Sequence, residues 1–129
     1  MRGCISSRLL NNKFYMKEEI SKIIRSLSLR QQVGLWIILG MPGIGRDKFF
    51  FESSLFAKNY KPYASDELKK DATKYGKFVG GVLSGLCQNG FLIKLSGGRD
   101  KQWAISEDLK NNSEQYKKSI FEVKSYWVS

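Results

Sequence analysis

The chain contains no histidine and only two cysteines, and these shortages exclude much of the usual chemistry of protein sites. Histidine is the commonest general base and metal ligand. Cys4 and Cys87 are too few and too isolated for a zinc cluster. Cys87 lies in an apolar helical pattern and is predicted to be a small buried hydrophobe without a disulfide. No pair of carboxylates lies in an apolar context, so we expect no metal, no cofactor and no enzymatic activity.

Long apolar runs are also missing. The longest, residues 33–41, is far shorter than the roughly 20 residues of a membrane-spanning helix. The N-terminus has no apolar core followed by a small-residue cleavage site, the pattern of a secretory signal. We therefore expect a soluble intracellular protein, cytoplasmic or nucleoid-associated, with no membrane partner and no evident small-molecule substrate. Residues 1–15 are expected to be a basic, flexible extension ahead of one domain over 16–129.

Acidic side chains are scarce beside basic ones. The chain has 22 Lys and Arg against 12 Asp and Glu, a net charge of +10, which favours polyanionic partners. The excess is concentrated in two segments, since residues 1–30 hold +5 and residues 61–101 hold +4, whereas residues 102–129 are balanced. An anion-binding face is expected to come from the first two of these.

Hydrophobic spacing predicts a mainly helical chain with a β-hairpin. Ile20, Ile24 and Leu27 lie on one face of a helix over 16–27. Ser28 with Gln31 forms a capping-box pattern at the start of a second, largely buried helix. The remaining elements are a strand at 49–51, helices over 53–60 and 65–88, hairpin strands at 91–95 and 102–105, and a final helix from 106 to 127.

The glycine-rich stretch over residues 40–48 looks at first like a phosphate-binding P-loop. That motif needs Lys followed by Ser or Thr, where this chain has Arg46 and Asp47. The lysine for the phosphates and the hydroxyl for magnesium are both absent, so nucleotide binding is not expected there.

The order helix, short strand, helix, helix, hairpin, helix resembles the winged helix-turn-helix superfamily, most closely over residues 28–106. The sharpest stretch is 79–95, where Leu83, Leu86 and Gly90 match the end of the third helix and the turn into the first wing strand. The resemblance implies an α+β, mainly α fold: a three-helix core with a β-hairpin wing, plus N- and C-terminal helices. The expected core contains Trp36, Phe50, Leu55, Val79, Leu83, Leu86 and Trp103.

The same resemblance implies binding of double-stranded DNA, with the third helix in the major groove and a basic wing on the minor groove or phosphates. Val79, Leu83 and Leu86 share the core side of that helix, so the opposite side is available for contacts. The glycines of this helix indicate a close approach, with two alternatives: Gly80 and Gly85 let a neighbouring helix pack tightly, or Gly81 lets the helix backbone approach DNA. The predicted DNA-binding residues are Lys69, Lys70, Lys74, Tyr75, Lys77, Gly81, Ser84, Gln88, Lys94, Arg99 and Lys101.

Several roles fit this pattern. The leading one is a DNA-binding transcriptional regulator, or an accessory factor in replication, segregation or a mobile element. The main alternative is a winged helix that acts as a protein-protein interaction module in a larger assembly, because fold does not fix function. RNA binding by the same basic faces is a third. A homodimer formed through the two terminal helices is expected, because their apolar stripes exceed what one small core covers.

Overall fold

A computed structural model describes residues 17–44, 49–96, 101–125 and 127, and places seven α-helices and three β-strands there. The helices are α1 (Lys17–Ser26), α2 (Leu29–Leu39), α3 (Ser53–Tyr60), α4 (Asp66–Lys70), α5 (Ala72–Gln88), α6 (Glu107–Asn111) and α7 (Ser113–Lys124). The strands are β1 (Phe50–Glu52), β2 (Leu92–Ser96) and β3 (Gln102–Ile105), and a 3₁₀ turn, Lys61–Tyr63, follows α3. The predicted α+β, mainly helical class is confirmed. The predicted extension over 1–15 lies outside the described residues.

The first and last helices pack against each other. Ile20 and Ile24 of α1 are fully buried, as are Tyr116 and Ile120 of α7. At the rim, Lys17 Nζ lies 3.5 Å from Glu122 Oε2, an exposed ion pair that contributes little to stability. The apolar stripe of α1 is therefore covered within the chain. None of the helices in the described part of the chain is long and apolar enough to cross a bilayer.

Helix α2 crosses α5 at Gly34, where the two backbones come close. A Cβ atom at Gly34 would lie 2.8 Å from Val82 Cγ1 and 3.2 Å from Phe56 Cζ. Both neighbours belong to the core, and the β-branched Val82 has little freedom to turn away inside a helix. The absence of a side chain at Gly34 is thus a condition for this crossing.

Replacing Gly34 by alanine is expected to lower the free energy of unfolding by about 1–3 kcal/mol, because the added methyl overpacks the crossing. Gly80 provides the matched control, since it lies in α5 and a Cβ there would meet nothing within 4 Å. Gly80→Ala should raise the free energy of unfolding by about 0.5–1 kcal/mol through helix propensity alone. Urea unfolding of both variants gives the two values. Shifts of the same sign would contradict the close crossing.

The three strands form one antiparallel sheet in the order β1-β3-β2. Phe51 and Lys94 both pair with Trp103 of the central strand. The buried Trp103 ring donates from Nε1 to Ser53 Oγ at 2.8 Å, and the Ser53 amide donates to the Lys101 carbonyl at 2.9 Å. These bonds attach the start of β3, next to the hairpin turn, to the start of α3.

The predicted core is partly wrong. Val79, Leu83, Leu86 and Trp103 are buried as expected, and Trp36 is half-buried. Phe50 is 53% exposed because Phe51 is the residue of β1 that faces the core. Leu55 is 43% exposed because α3 buries Phe56 and Tyr60, which are spaced four residues apart. Each error is a displacement by one residue.

Two of the predicted helices are interrupted. The helix over 65–88 breaks at Asp71, which caps α5, and the last helix breaks at Asn112, whose side-chain amide donates to the Asp108 carbonyl at 3.0 Å. The capping box at Ser28 is not formed, since Ser28 precedes α2 but its side chain makes no cap bond. Cys87 is buried as predicted, but it is disulfide-bonded, so the expectation of an unpaired thiol is wrong.

Candidate nucleic-acid interface

Helix α5 is the longest helix described and starts at a well-made cap. Asp71 Oδ1 accepts hydrogen bonds from the amides of Thr73 and Lys74 at 3.0 and 3.1 Å. The 17 residues of α5 extend over roughly 25 Å. Ahead of it, Ser65 caps the short α4 by accepting from the Leu68 amide at 3.2 Å. The caps divide the basic segment over 65–88 into two helices and fix where α5 begins.

The two sides of α5 differ sharply in chemistry. The core side is apolar and includes Val79, Val82 and Leu86. At about 3.6 residues per turn, the opposite arc is formed by positions that the structure leaves exposed. This exposed arc consists of Thr73, Lys74, Lys77, Gly80, Gly81, Ser84 and Gln88. Its first half carries the lysines, and its second half carries only small or uncharged polar residues.

Tyr75 does not belong to the exposed arc, so its prediction as a DNA-contacting residue is wrong. It is 7% exposed, and its hydroxyl donates to the Ala57 carbonyl on α3. The spacing of four residues to Val79 puts Tyr75 on the core stripe of the helix. Its phenol group has a hydrogen-bond acceptor there, which offsets the cost of burying a polar aromatic side chain.

Most of the described lysines of the predicted site form no ion pair with a described carboxylate. Lys69 lies 3.5 Å from Asp66, but no described carboxylate pairs with the exposed side chains of Lys70, Lys74 or Lys77. The first turn of α5 contains no acidic residue, in contrast to the first turns of α1, α4 and α6. Lysines close to a helix N-terminus add to its positive end rather than offset it. The Asp71 carboxylate offsets the positive end of the helix, but the exposed lysines Lys70, Lys74 and Lys77 outnumber it.

The hairpin brings a further cation to the side of α5. Lys101 is exposed and borders a groove of about 470 Å³ between α3 and α5, together with Ser54, Gly76 and Gly80. Lys94 is exposed and shares the face of the sheet with Trp103, the face that packs towards α5. Arg99 lies outside the described residues. The structure thus places Lys101 next to the exposed arc of α5.

The glycines of α5 differ in whether a neighbouring atom lies close to them, and the sequence predicts this only in part. A Cβ at Gly85 would collide with the amide nitrogen of Gln31, whose Oε1 accepts from Asn89 Nδ2 at 2.8 Å. The neighbour at Gly85 is therefore the end of a side chain of α2. Gly80 has open space around it, so the expectation that it admits a neighbouring helix is wrong. Gly81 is equally open, which leaves the backbone there accessible from outside.

Three residues on this surface were missed by sequence reasoning. Thr73 shares the exposed arc, and Ser54 and Lys58 stand one turn apart on the exposed side of α3. Ser54 and Ala57 border the groove towards α5. The sequence signal for Ser54 and Lys58 was the four-residue spacing of Phe56 and Tyr60. If those two rings face the core, Ser54 and Lys58 lie on the outer side of α3.

Among the described residues, Tyr60 and Tyr75 have raised pKa values, and both belong to the core and not to the exposed arc. Burial raises the pKa of Tyr60 to about 12, against the opposing effect of the Arg30 guanidinium and with a further contribution from Tyr75. Burial also raises the pKa of Tyr75. Both phenols stay protonated at neutral pH and donate hydrogen bonds, Tyr60 to the Arg30 carbonyl at 3.3 Å. Within the described ranges, no group of three or more Cys, Asp or Glu is arranged to hold a metal ion.

No family model matches this chain, and neither a curated protein nor a solved structure matches it. The feature that distinguishes this surface is the combination of unpaired lysines with an open, small-residue helix face. Both are properties that a polyanion with a regular backbone would use.

Proposed function

We propose that the protein is a winged helix that binds double-stranded DNA, with the exposed arc of α5 against one groove and Lys101 against an adjacent phosphate. The observed order α2, β1, α3, α5, β2, β3 supports this, because it is the order on which the resemblance to the superfamily rests. The three-stranded sheet supplies the hairpin that serves as the wing.

The observation that carries the proposal is the grouping of unpaired cations. Lys74 and Lys77 lie on one arc of α5, and Lys101 borders a groove whose other wall includes Gly76 and Gly80 of the same helix. Cations kept apart from carboxylates release counterions when they neutralise phosphates, which provides most of the affinity of a DNA-binding protein. Lys70 stands just ahead of α5 and extends the positive surface.

The second half of the arc has a different role in this proposal. Gly80 and Gly81 have no side chain to keep a partner away, so the helix backbone comes close to the duplex. Ser84 and Gln88 are exposed beyond them and have groups that donate to or accept from base edges. The lysines therefore supply affinity, and the C-terminal half of α5 supplies whatever sequence preference exists.

A binding titration of the full chain at several salt concentrations tests this function. With four lysines each neutralising one phosphate, the logarithm of the association constant for duplex DNA should fall against the logarithm of salt with a slope of about −3 to −4. Single-stranded DNA and double-stranded RNA of the same length are the comparison ligands and should bind more weakly. A salt-independent signal, or a preference for RNA, would overturn the proposal.

The competing role as a protein-protein module is favoured by one observation, the outer face of the sheet. Phe50 and Ile93 both pair with Ala104 and form one outward row, and they are 53% and 40% exposed. Leu95 of β2 is 50% exposed as well. A row of apolar side chains of this kind is typical of a surface that another protein covers. Failure of duplex binding at low salt would make this the leading function.

A further inference from the structure

A second exposed apolar surface lies around α7. Phe121 of α7 is 66% exposed, Leu29 at the start of α2 is 54% exposed, and Tyr63 of the 3₁₀ turn is 44% exposed. These three side chains border one groove of about 840 Å³, which also contacts Val33 and Trp127. Large side chains exposed together around a concavity are unusual in a chain that stays alone in water.

The walls of this groove are held in place by contacts within the chain. Trp127 Nε1 donates to Gln32 Oε1 at 3.0 Å, and the Tyr63 ring meets the Trp127 ring edge-on with centroids 6.3 Å apart. The Phe121 ring lies 6.3 Å from the Trp36 ring. A partner that enters the groove therefore orders few side chains, and the entropic cost of binding is low.

Phe121 stands as a ridge between two depressions. On its other side is a groove of about 500 Å³, bordered by Trp36, Lys117, Lys118 and Glu122. A surface that presents a projecting ring beside a groove fits a second copy of itself, because a two-fold axis places each ring opposite the groove of the partner.

The charges around Phe121 favour the same occupant. This surface carries charges of both signs, from Glu114 and Glu122 and from Lys117, Lys118 and Lys124. The charged residues in the exposed arc of α5 are all lysines. Residues 102–129, which include α7, carry no net charge in a chain of +10. Because both signs are present on this surface, a two-fold contact lets Glu122, which pairs with Lys17 of its own chain, also meet Lys118 of the other copy.

We infer that this α7 surface is the interface of a homodimer, with each Phe121 seated in the groove bordered by Leu29 and Tyr63 of the other copy. Helix α1 contributes little, since its stripe is already covered by α7 of its own chain. The main packing partners of α7 are α1 and α2, so the exposed arc of α5 is not used for dimerisation.

Light scattering on the purified chain at high micromolar concentration, without nucleic acid, is the test. The wild type is expected at twice the chain mass and Phe121→Asp at the chain mass. Phe50→Asp is the matched control, because it places the same charge at a 53% exposed aromatic on the outer face of the sheet, and it should remain dimeric. Circular dichroism and thermal melts verify that both variants are folded.

A charge exchange provides a second, independent readout. Lys118→Glu alone should raise the dimer dissociation constant several-fold, and adding Glu122→Lys should bring it back towards the wild-type value. A monomeric wild type, or dissociation by Phe50→Asp in place of Phe121→Asp, would overturn the inference. Because the measurement contains no DNA, either result leaves the proposed DNA binding untouched.

Discussion

Replacing both Lys74 and Lys77 by glutamine is expected to weaken binding to every duplex by about 30- to 150-fold, because each charge-assisted phosphate contact is worth about 1–1.5 kcal/mol. The salt slope should become shallower by about 2, one for each lost contact. Both side chains are exposed, and they are not ion-paired to any described carboxylate, so their removal should leave stability unchanged within about 0.5 kcal/mol. Anisotropy titrations at several salt concentrations provide both numbers.

The control for this experiment is the pair Lys22→Gln and Arg25→Gln on α1, which removes the same charge from exposed positions outside both proposed interfaces. It should leave duplex affinity nearly unchanged. Equal losses from the two double variants would mean that net charge, and not the α5 surface, determines binding. Lys101→Ala should reduce the slope by about 1 on all sequences, whereas Ser84→Ala or Gln88→Ala should change the preference among sequences.

Leu83→Ala is expected to lower the free energy of unfolding by about 2–5 kcal/mol, because it leaves a cavity among tightly packed side chains. Leu83 is 1% exposed and lies on the core side of α5. Leu55→Ala deletes the same atoms from a side chain that is 43% exposed, and it should cost less than about 1 kcal/mol. Urea unfolding measures both. Comparable losses would contradict the burial of Leu83 and the exposure of Leu55.

The core side of α5 was predictable because Val79, Leu83 and Leu86 repeat at helical spacing. Such an apolar stripe is expected to pack against the hydrophobic core. The order of the elements was predictable for the same reason. Tyr75 was misplaced because a phenol group counts as polar in a pattern, although one backbone acceptor on α3 is enough to bury it. Only the tertiary structure reveals that acceptor.

The other errors arise where the pattern of apolar and polar residues does not distinguish between the possible structures. Residues 49–51 are three consecutive phenylalanines, so alternation could not show that Phe51 faces inward and Phe50 outward. The breaks at Asp71 and Asn112 were invisible because the apolar spacing continues through both. The groove beside Phe121 was also out of reach, since it depends on how α2, the 3₁₀ turn and α7 meet in space.

The strand order β1-β3-β2 has a consequence for how the chain is made. β1 leaves the ribosome early, but among the described strands it pairs with β3, which is translated last of the three. Until Gln102–Ile105 has emerged, the outward Phe50 and the inward Phe51 both belong to an unpaired segment rich in aromatic residues. A pause in translation between the two strands would prolong that exposure, whereas the contact of α3 with α5 completes before it. The nascent chain is thus most prone to aggregate just before β3 appears.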